Sequence, residues 1–447
     1  MSIGKEEDGW FFLDAVLAQQ AIRLEDRLIR TISDLVRIPS ENTPPYGSEL
    51  ACQQYVYQRL GELNLAAKMY DLGEVAGLIK HPGFWPDREY ANRPNTSGVW
   101  RGTGGGRSLL LSGHIDTVPR GTEAWERDPF GAQIEGNRLY GLGANDMKGG
   151  IGAALLAIEV LQTLGLRLRG DLSMETVVDE EFGGVNGTLA ARLSDHTAQA
   201  AIICEPTQLM ICPAQTGGRI AHITLQGSGG GILDDGIKQI RVTEQLHFFL
   251  GEVEEFAGRG RLTAPVHAFY SDSSDPVPVW VTKISCGGWG PHEPITLPVK
   301  CRIELYWQAM PGEAQEKIDE EFHRWLAEVI AKRPDLFAVK PEVSFPIRWL
   351  PGSALEGEQP LVSGLRDALQ SVTSLPAQVR GIPGPCDMYV FHQHFNIPAV
   401  LFGPVGGNTH APDEWVDLDS ALVTVQSLTR FICRWCDVDW EQSGPNH

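Results

Sequence analysis

A chain of 447 residues is about three times the roughly 150-residue length of one domain, so two or three compact units with sizeable cores are expected. It carries 37 Lys plus Arg against 57 Asp plus Glu, a net charge of −20, with 42% apolar residues and 12 Trp. That balance excludes intrinsic disorder and, for want of a basic face that displaces counterions from phosphate, a nucleic-acid partner.

The opening MSIGKEEDGW lacks a basic segment followed by an apolar run and cleavage site, and no apolar stretch approaches the ~18 to 20 residues that cross a bilayer. The expectation is a soluble protein without membrane partners, most simply cytoplasmic. An amphipathic stretch from Ala21 to Arg37 comes first. Short runs that are apolar on both faces follow at Leu109–Ser112, Leu172–Val178, Ala200–Cys204 and Ala399–Phe402, which is how buried strands of an α/β sheet read. Between them Gly150–Leu164 reads as a helix, with Gly165 as its stop. The fold class predicted is α/β, a doubly wound catalytic domain.

From about Gly217 the texture changes to alternating segments (His222–Gln226, Val279–Ser285, Val299–Trp307) and two helical stretches (Gly236–Phe256, Ala314–Ala331). This predicts an inserted α+β domain over 217–333, with 1–216 and 334–447 forming one discontinuous domain. The last helical pattern, Leu422–Trp435, carries the C-x-x-C of Cys433 and Cys436. With no second such pair the two are structural, and the eight Cys are too sparse for a disulfide scaffold.

Chemistry-bearing residues fall where the apolar runs end, at the carboxyl ends of strands where open α/β sheets place ligands. In Ser112-Gly113-His114-Ile115-Asp116, an extended backbone would point residues i and i+2 the same way, so Asp116 can accept the ring N–H of His114. The turn Gly141-Leu142-Gly143-Ala144-Asn145-Asp146-Met147-Lys148-Gly149-Gly150 delivers Asp146 ahead of a helix, and the G-x-x-x-x-G-K-[ST] spacing of a phosphate cradle is absent. Asp179-Glu180-Glu181 ends another strand; adjacent side chains diverge, so one carboxylate can ligate a metal while its neighbour serves as general base. Glu205 follows Ala201–Cys204, and His410 lies in Gly406-Gly407-Asn408-Thr409-His410-Ala411-Pro412-Asp413-Glu414. Two imidazoles and several carboxylates, each delivered from a strand end, point to a metal site.

The ordered set SGHxD, GxGAxDMKGG, DEEFGG, EPT and GxxTHAPDE resembles the co-catalytic zinc deacylases and exopeptidases of the M20 peptidase type, which include acetylornithine deacetylase, succinyl-diaminopimelate desuccinylase, aminoacylase and the glutamate carboxypeptidases. The resemblance spans nearly the whole chain. It implies that Asp146 bridges two metals, with His114 and Glu205 on one and Glu181 and His410 on the other. Glu180 would be the general base and Asp116 the partner of His114, while 217–333 would be a lid through which the chain forms a homodimer or higher homo-oligomer. Such a site hydrolyses a C–N bond in a small molecule, using two divalent ions that acidify a shared water and polarise a carbonyl. Three carboxylates with two imidazoles suit zinc first and are compatible with manganese or cobalt; occupancy by a single ion is compatible with the same residues.

Besides Leu142, which stands where the family often has Arg, two positions depart from that pattern. The family's lid His, an oxyanion donor of a kind worth roughly 3 kcal/mol, is missing from Leu225-Gln226-Gly227-Ser228-Gly229-Gly230-Gly231, and His292 is a candidate substitute. Tyr389 stands where an Arg commonly grips a substrate carboxylate; a phenol supplies no bidentate charge, so Tyr389 is a candidate substrate contact of another kind. Both departures favour an amide deacylase over a carboxypeptidase or dipeptidase. A hydrolytic deaminase of an aminoaryl compound and a non-catalytic metal-containing binding protein are the remaining alternatives.

Overall fold

The computed structural model describes residues 3–194, 198–228, 232, 239–293 and 295–443. The chain divides into two compact units, one of residues 1–213, 354–380 and 387–447, the other of 214–353 and 381–386.

The first unit is built on a mixed sheet whose path runs Ile211–Gln215, Ala399–Leu401, Ala201–Ile203, Leu109–His114, Leu172–Val177, Asn95–Trp100, Ala66–Tyr70. The four inner strands are mutually parallel, with Leu110 beside Ala201, His114 beside Val177 and Ala399 beside Ala201. Outside them the pairings turn antiparallel. Every residue of Leu109–His114 is buried, as expected of a parallel strand covered on both faces, and Leu109, Leu111, Ile202 and Val400 are wholly inaccessible. The aligned register brings the carboxyl ends of all four inner strands to one edge of the sheet.

Helix Gly149–Thr163 is almost entirely buried, and it packs with Glu25–Arg37 and Leu418–Cys436. At Gly150 a Cβ would meet the carbonyl of Cys204 at 1.8 Å, so the absence of a side chain is what lets this helix press against the end of the neighbouring strand. The chain opens with a helix, Ile3–Arg23, where the amphipathic pattern predicted structure only from Ala21. Phe11 and Phe12 are 81% and 71% exposed on it, so its apolar residues do not form the single stripe by which a helix is recognised. The eight cysteines form no disulfide, and Cys433 and Cys436 are buried in the last helix.

The second unit is an α+β layer pair. An antiparallel sheet in the order Val279–Cys286, Lys300–Ala309, Gly217–Gln226, Glu342–Ser344 alternates buried and less buried positions, the mark of a sheet covered on one face. Helices Val242–Thr263 and Gln315–Lys332 cover it. Ile223, Leu225, Ile303 and Leu305 meet Phe249, Val253, Phe322 and Trp325 in the core. The predicted helix start at Gly236 lies outside the described residues, as do Gly229–Gly231 of the stretch that lacks the lid His. No helix among the described residues is long and apolar enough to cross a membrane.

Candidate metal centre

His114 closes its strand with the ring 3% exposed. Its Nδ1 lies 2.9 Å from the backbone carbonyl of Asp116, an acceptor only, so Nδ1 donates and Nε2 faces Asp146 Oδ1 at 3.0 Å and Glu205 Oε1 at 3.7 Å. The Asp116 carboxylate also lies beside the ring, its Oδ1 3.7 Å from Nδ1, but the nearer partner is that residue's own carbonyl. Regular pairing ends at His114, so the rule that i and i+2 share a face no longer holds at Asp116.

The carboxylate of Asp116 is used elsewhere. It accepts the backbone N–H groups of Glu180 at 3.0 Å and Glu181 at 3.2 Å, and the amide Nδ2 of Asn42 at 2.9 Å. Asn42 Nδ2 also donates to Asp179 Oδ1 at 3.1 Å. Asp179 turns the chain with φ +65° and is held by the Tyr90 hydroxyl at 2.5 Å and by Arg88 and Arg93 at 3.5 and 3.7 Å. The first of the three consecutive acids is thereby neutralised inside the fold, and the other two face the site.

Asp146 lies in the irregular turn Ala144–Lys148. Its two oxygens address different imidazoles: Oδ1 that of His114, and Oδ2 that of His410 at 3.4 Å. His410 Nε2 is also 2.8 Å from Glu181 Oε2. Ligand atoms of His114, Asp146 and Glu181 all fall within 4.8 Å of one another. The backbone of the turn is held by Glu414, whose carboxylate accepts the N–H groups of Gly143 at 2.8 Å and of Asn145 and Asp146 at 2.9 Å. Gly143 has φ +77°, and a Cβ there would meet Thr117 Cγ2 at 2.5 Å.

Burial and this concentration of acid shift both imidazoles and the carboxyls of Glu180 and Glu205. Burial alone would lower His114, but Glu205, Asp146 and Glu180 raise it well above its ordinary value. Glu181 and Asp146 push His410 up to about 12. Burial raises Glu205 and Glu180, each reinforced by neighbouring acids. Three carboxylates converging with two imidazoles need positive charge between them, and a pair of dications supplies it where two imidazolium protons otherwise must. The donor set therefore fits divalent metal.

Glu180 lines a small pocket with His114, Glu205, Asp387, Thr188 and Phe391. Tyr389 is 1% exposed, its ring edge-on to His394 with centroids 6.0 Å apart. His292 belongs to the second unit, exposed in a turn. Sequence reasoning overlooked Asn42, Asp387 and Glu414; for Glu414 a signal was present, four residues after His410 in the same glycine-led motif.

Over residues 110–434 the chain matches peptidase family M20/M25/M40. It is 25% identical over 446 residues to N-formyl-4-amino-5-aminomethyl-2-methylpyrimidine deformylase of Halalkalibacterium halodurans, covering 92% of this chain and 95% of that one. To acetylornithine deacetylase of Salmonella arizonae it is 27% identical over 376 residues, covering 83% and 90%. Human carnosine dipeptidase 1 shares the fold at a TM-score of 0.73 and 14% identity, covering 95% of this chain and 99% of the other. The motifs, the strand-end geometry and the match over most of the length together place this chain in peptidase family M20/M25/M40.

Proposed function

We propose that this protein hydrolyses the amide bond of a small N-acylated amine, with Glu180 as general base. Family membership and the deformylase and deacetylase relatives make it a metal-dependent C–N hydrolase. The observation that carries the assignment is the division of Asp146, one oxygen toward His114 and the other toward His410. Asp146, His114, Glu205, Glu181 and His410 would hold two ions, His114 and Glu205 serving one, Glu181 and His410 the other, and Asp146 both. Metal held by these residues would supply acidification of the attacking water and polarisation of the amide carbonyl. Zinc is the first choice for this mixed set, with manganese or cobalt compatible.

Glu180 receives the proton of the attacking water as C–O forms and passes it to the leaving nitrogen as C–N then breaks. Its raised proton affinity, from burial and the nearby Asp387, suits a group that must hold that proton between the two steps. Asp116 acts through the backbone of Glu180 and Glu181, fixing where their side chains start. Tyr389, edge-on to His394, is the proposed substrate contact, and His292 is the proposed oxyanion donor in place of the lid His. The second unit is the proposed surface for a homodimer: its edge strand Val279–Cys286 leaves Trp280 51% and Ile284 48% exposed. A cytoplasmic location accords with eight cysteines that form no disulfide.

Stripping the protein with a chelator and assaying N-formyl and N-acetyl amines tests the reading. Activity should disappear and return with zinc, manganese or cobalt; turnover unchanged after metal removal would overturn it.

A further inference from the structure

The pocket beside Glu180 holds an acid that the hydrolytic steps above do not use. Asp387 is 4% exposed, and its Oδ2 accepts the hydroxyl of Thr188. Its Oδ1 is buried and finds no hydrogen-bond donor among the described residues. The pocket lining adds Glu180, Glu205 and His114, then the apolar Val177, Ile203 and Phe391, and includes no Lys or Arg among the described residues. Buried carboxylate oxygens are ordinarily satisfied, because an unmade bond forfeits the hydration the group had in water. An acceptor left open in the wall of a catalytic pocket marks a place for a donor on the ligand.

We infer that Asp387 determines specificity, its free Oδ1 accepting a hydrogen bond from an amino or ammonium group carried by the amine half of the substrate in addition to the scissile nitrogen. The inference rests on the hydrolase reading above. The chemistry around the pocket favours this ligand class: an ionised Asp387 offers acceptors only, and the lining includes no Lys or Arg among the described residues to pair with a carboxylate beside it. Thr188 leaves one oxygen of Asp387 engaged, which fixes the orientation of the other. A neutral alkyl chain in the same place would bury Oδ1 with no partner at all, and sites with an open polar group reject ligands that lack the matching one.

Matched probes decide it. N-acetyl-1,3-diaminopropane, N-acetyl-1,4-diaminobutane and N-acetyl-1,5-diaminopentane are compared with the N-acetylalkylamines of equal length, using metal-loaded wild type and Asp387→Asn. In wild type the aminated member of at least one pair should have about tenfold or greater kcat/KM. In Asp387→Asn, which is isosteric and keeps an oxygen for Thr188, that ratio should fall to about two or less with metal content and melting temperature unchanged. Asp387→Glu should keep the preference but move its optimum to a chain one carbon shorter. Calorimetric titration of 1,4-diaminobutane against butylamine gives a readout independent of turnover, with the diamine's advantage expected in wild type and lost in Asp387→Asn. Equal handling of each pair by wild type, or a preference that survives Asp387→Asn, overturns the inference and leaves the hydrolase reading intact. If metal-loaded wild type turns over none of the amides, the hydrolase reading is what suffers, and the calorimetric comparison still decides Asp387.

Discussion

Glu414 Oε1 accepts the backbone N–H of Asp146 at 2.9 Å, so the residue that faces both imidazoles is anchored through its main chain by an acid lying 268 residues away. The same carboxylate also takes the N–H groups of Gly143 and Asn145. Glu414 is 1% exposed and therefore holds the turn from inside the fold. A glutamine would bring an NH2 group against donors that need an acceptor. Glu414→Gln should accordingly weaken metal binding by about 10- to 100-fold, the usual effect of disturbing a group that orients a ligand. A competitive zinc titration against a chromogenic chelator measures this, and affinity within twofold of wild type would show that the turn holds its shape without Glu414.

Glu180 is separated from Glu181 by a single peptide bond, yet the roles proposed for them, base and metal ligand, differ, and substitution should reveal it. Glu180→Gln removes the proposed proton acceptor while leaving His114, Asp146, Glu181, Glu205 and His410 in place. Its kcat should fall by about 10²- to 10⁴-fold, the range for loss of a general base, with metal content by elemental analysis unchanged. Glu181→Gln should instead lose metal. A Glu180→Gln protein that retained most of its activity would move the base elsewhere.

Asn42 stands between two carboxylates, 2.9 Å from Asp116 and 3.1 Å from Asp179, in a fully buried position. Truncation to alanine leaves two buried acids facing each other without the shared donor. Asn42→Ala should destabilise the first unit by about 1–3 kcal/mol, and Asn42→Asp by more because it adds a third carboxylate. Urea unfolding at fixed metal concentration reads the difference directly. Equal midpoints for wild type and Asn42→Ala would mean that Arg88 and Arg93 suffice to hold Asp179.

These three residues show what a sequence can and cannot disclose about such a site. His114, Asp146, Glu180, Glu181 and Glu205 each sit within a few residues of an apolar run or glycine turn, and a parallel sheet gathers strand ends by construction. Short-range pattern is enough to find them. Asn42 instead lies 74 residues from Asp116 and 137 from Asp179, and its run Glu41-Asn42-Thr43-Pro44 resembles any polar loop. Asp116 was visible as a residue but its partner was not, because whether a side chain or its own carbonyl meets the ring depends on where strand pairing stops. The helices Gly149–Thr163 and Leu418–Cys436 follow closely from their apolar periodicity, whereas Ile3–Arg23, with its exposed phenylalanines, does not.

In the second unit, Glu255 takes hydrogen bonds from Lys332 at 2.6 Å and Arg259 at 2.8 Å, tying the two helices of the layer together. These cations hold its carboxyl down at about 2, against an ordinary 4.5. The unfolded chain therefore takes up the proton first as the solution is acidified. The stabilisation is present above about 4.5 and disappears as pH falls from there through about 2. The group is exposed, so the effect is small and screened by salt. Wild type should exceed Glu255→Gln in urea midpoint at pH 7 and low salt, and the gap should narrow at pH 3 and again in 1 M NaCl. A gap that widened on acidification would contradict the sign of the linkage and assign the clip between the helices to Lys332 with Glu252 alone, which lie 2.6 Å apart.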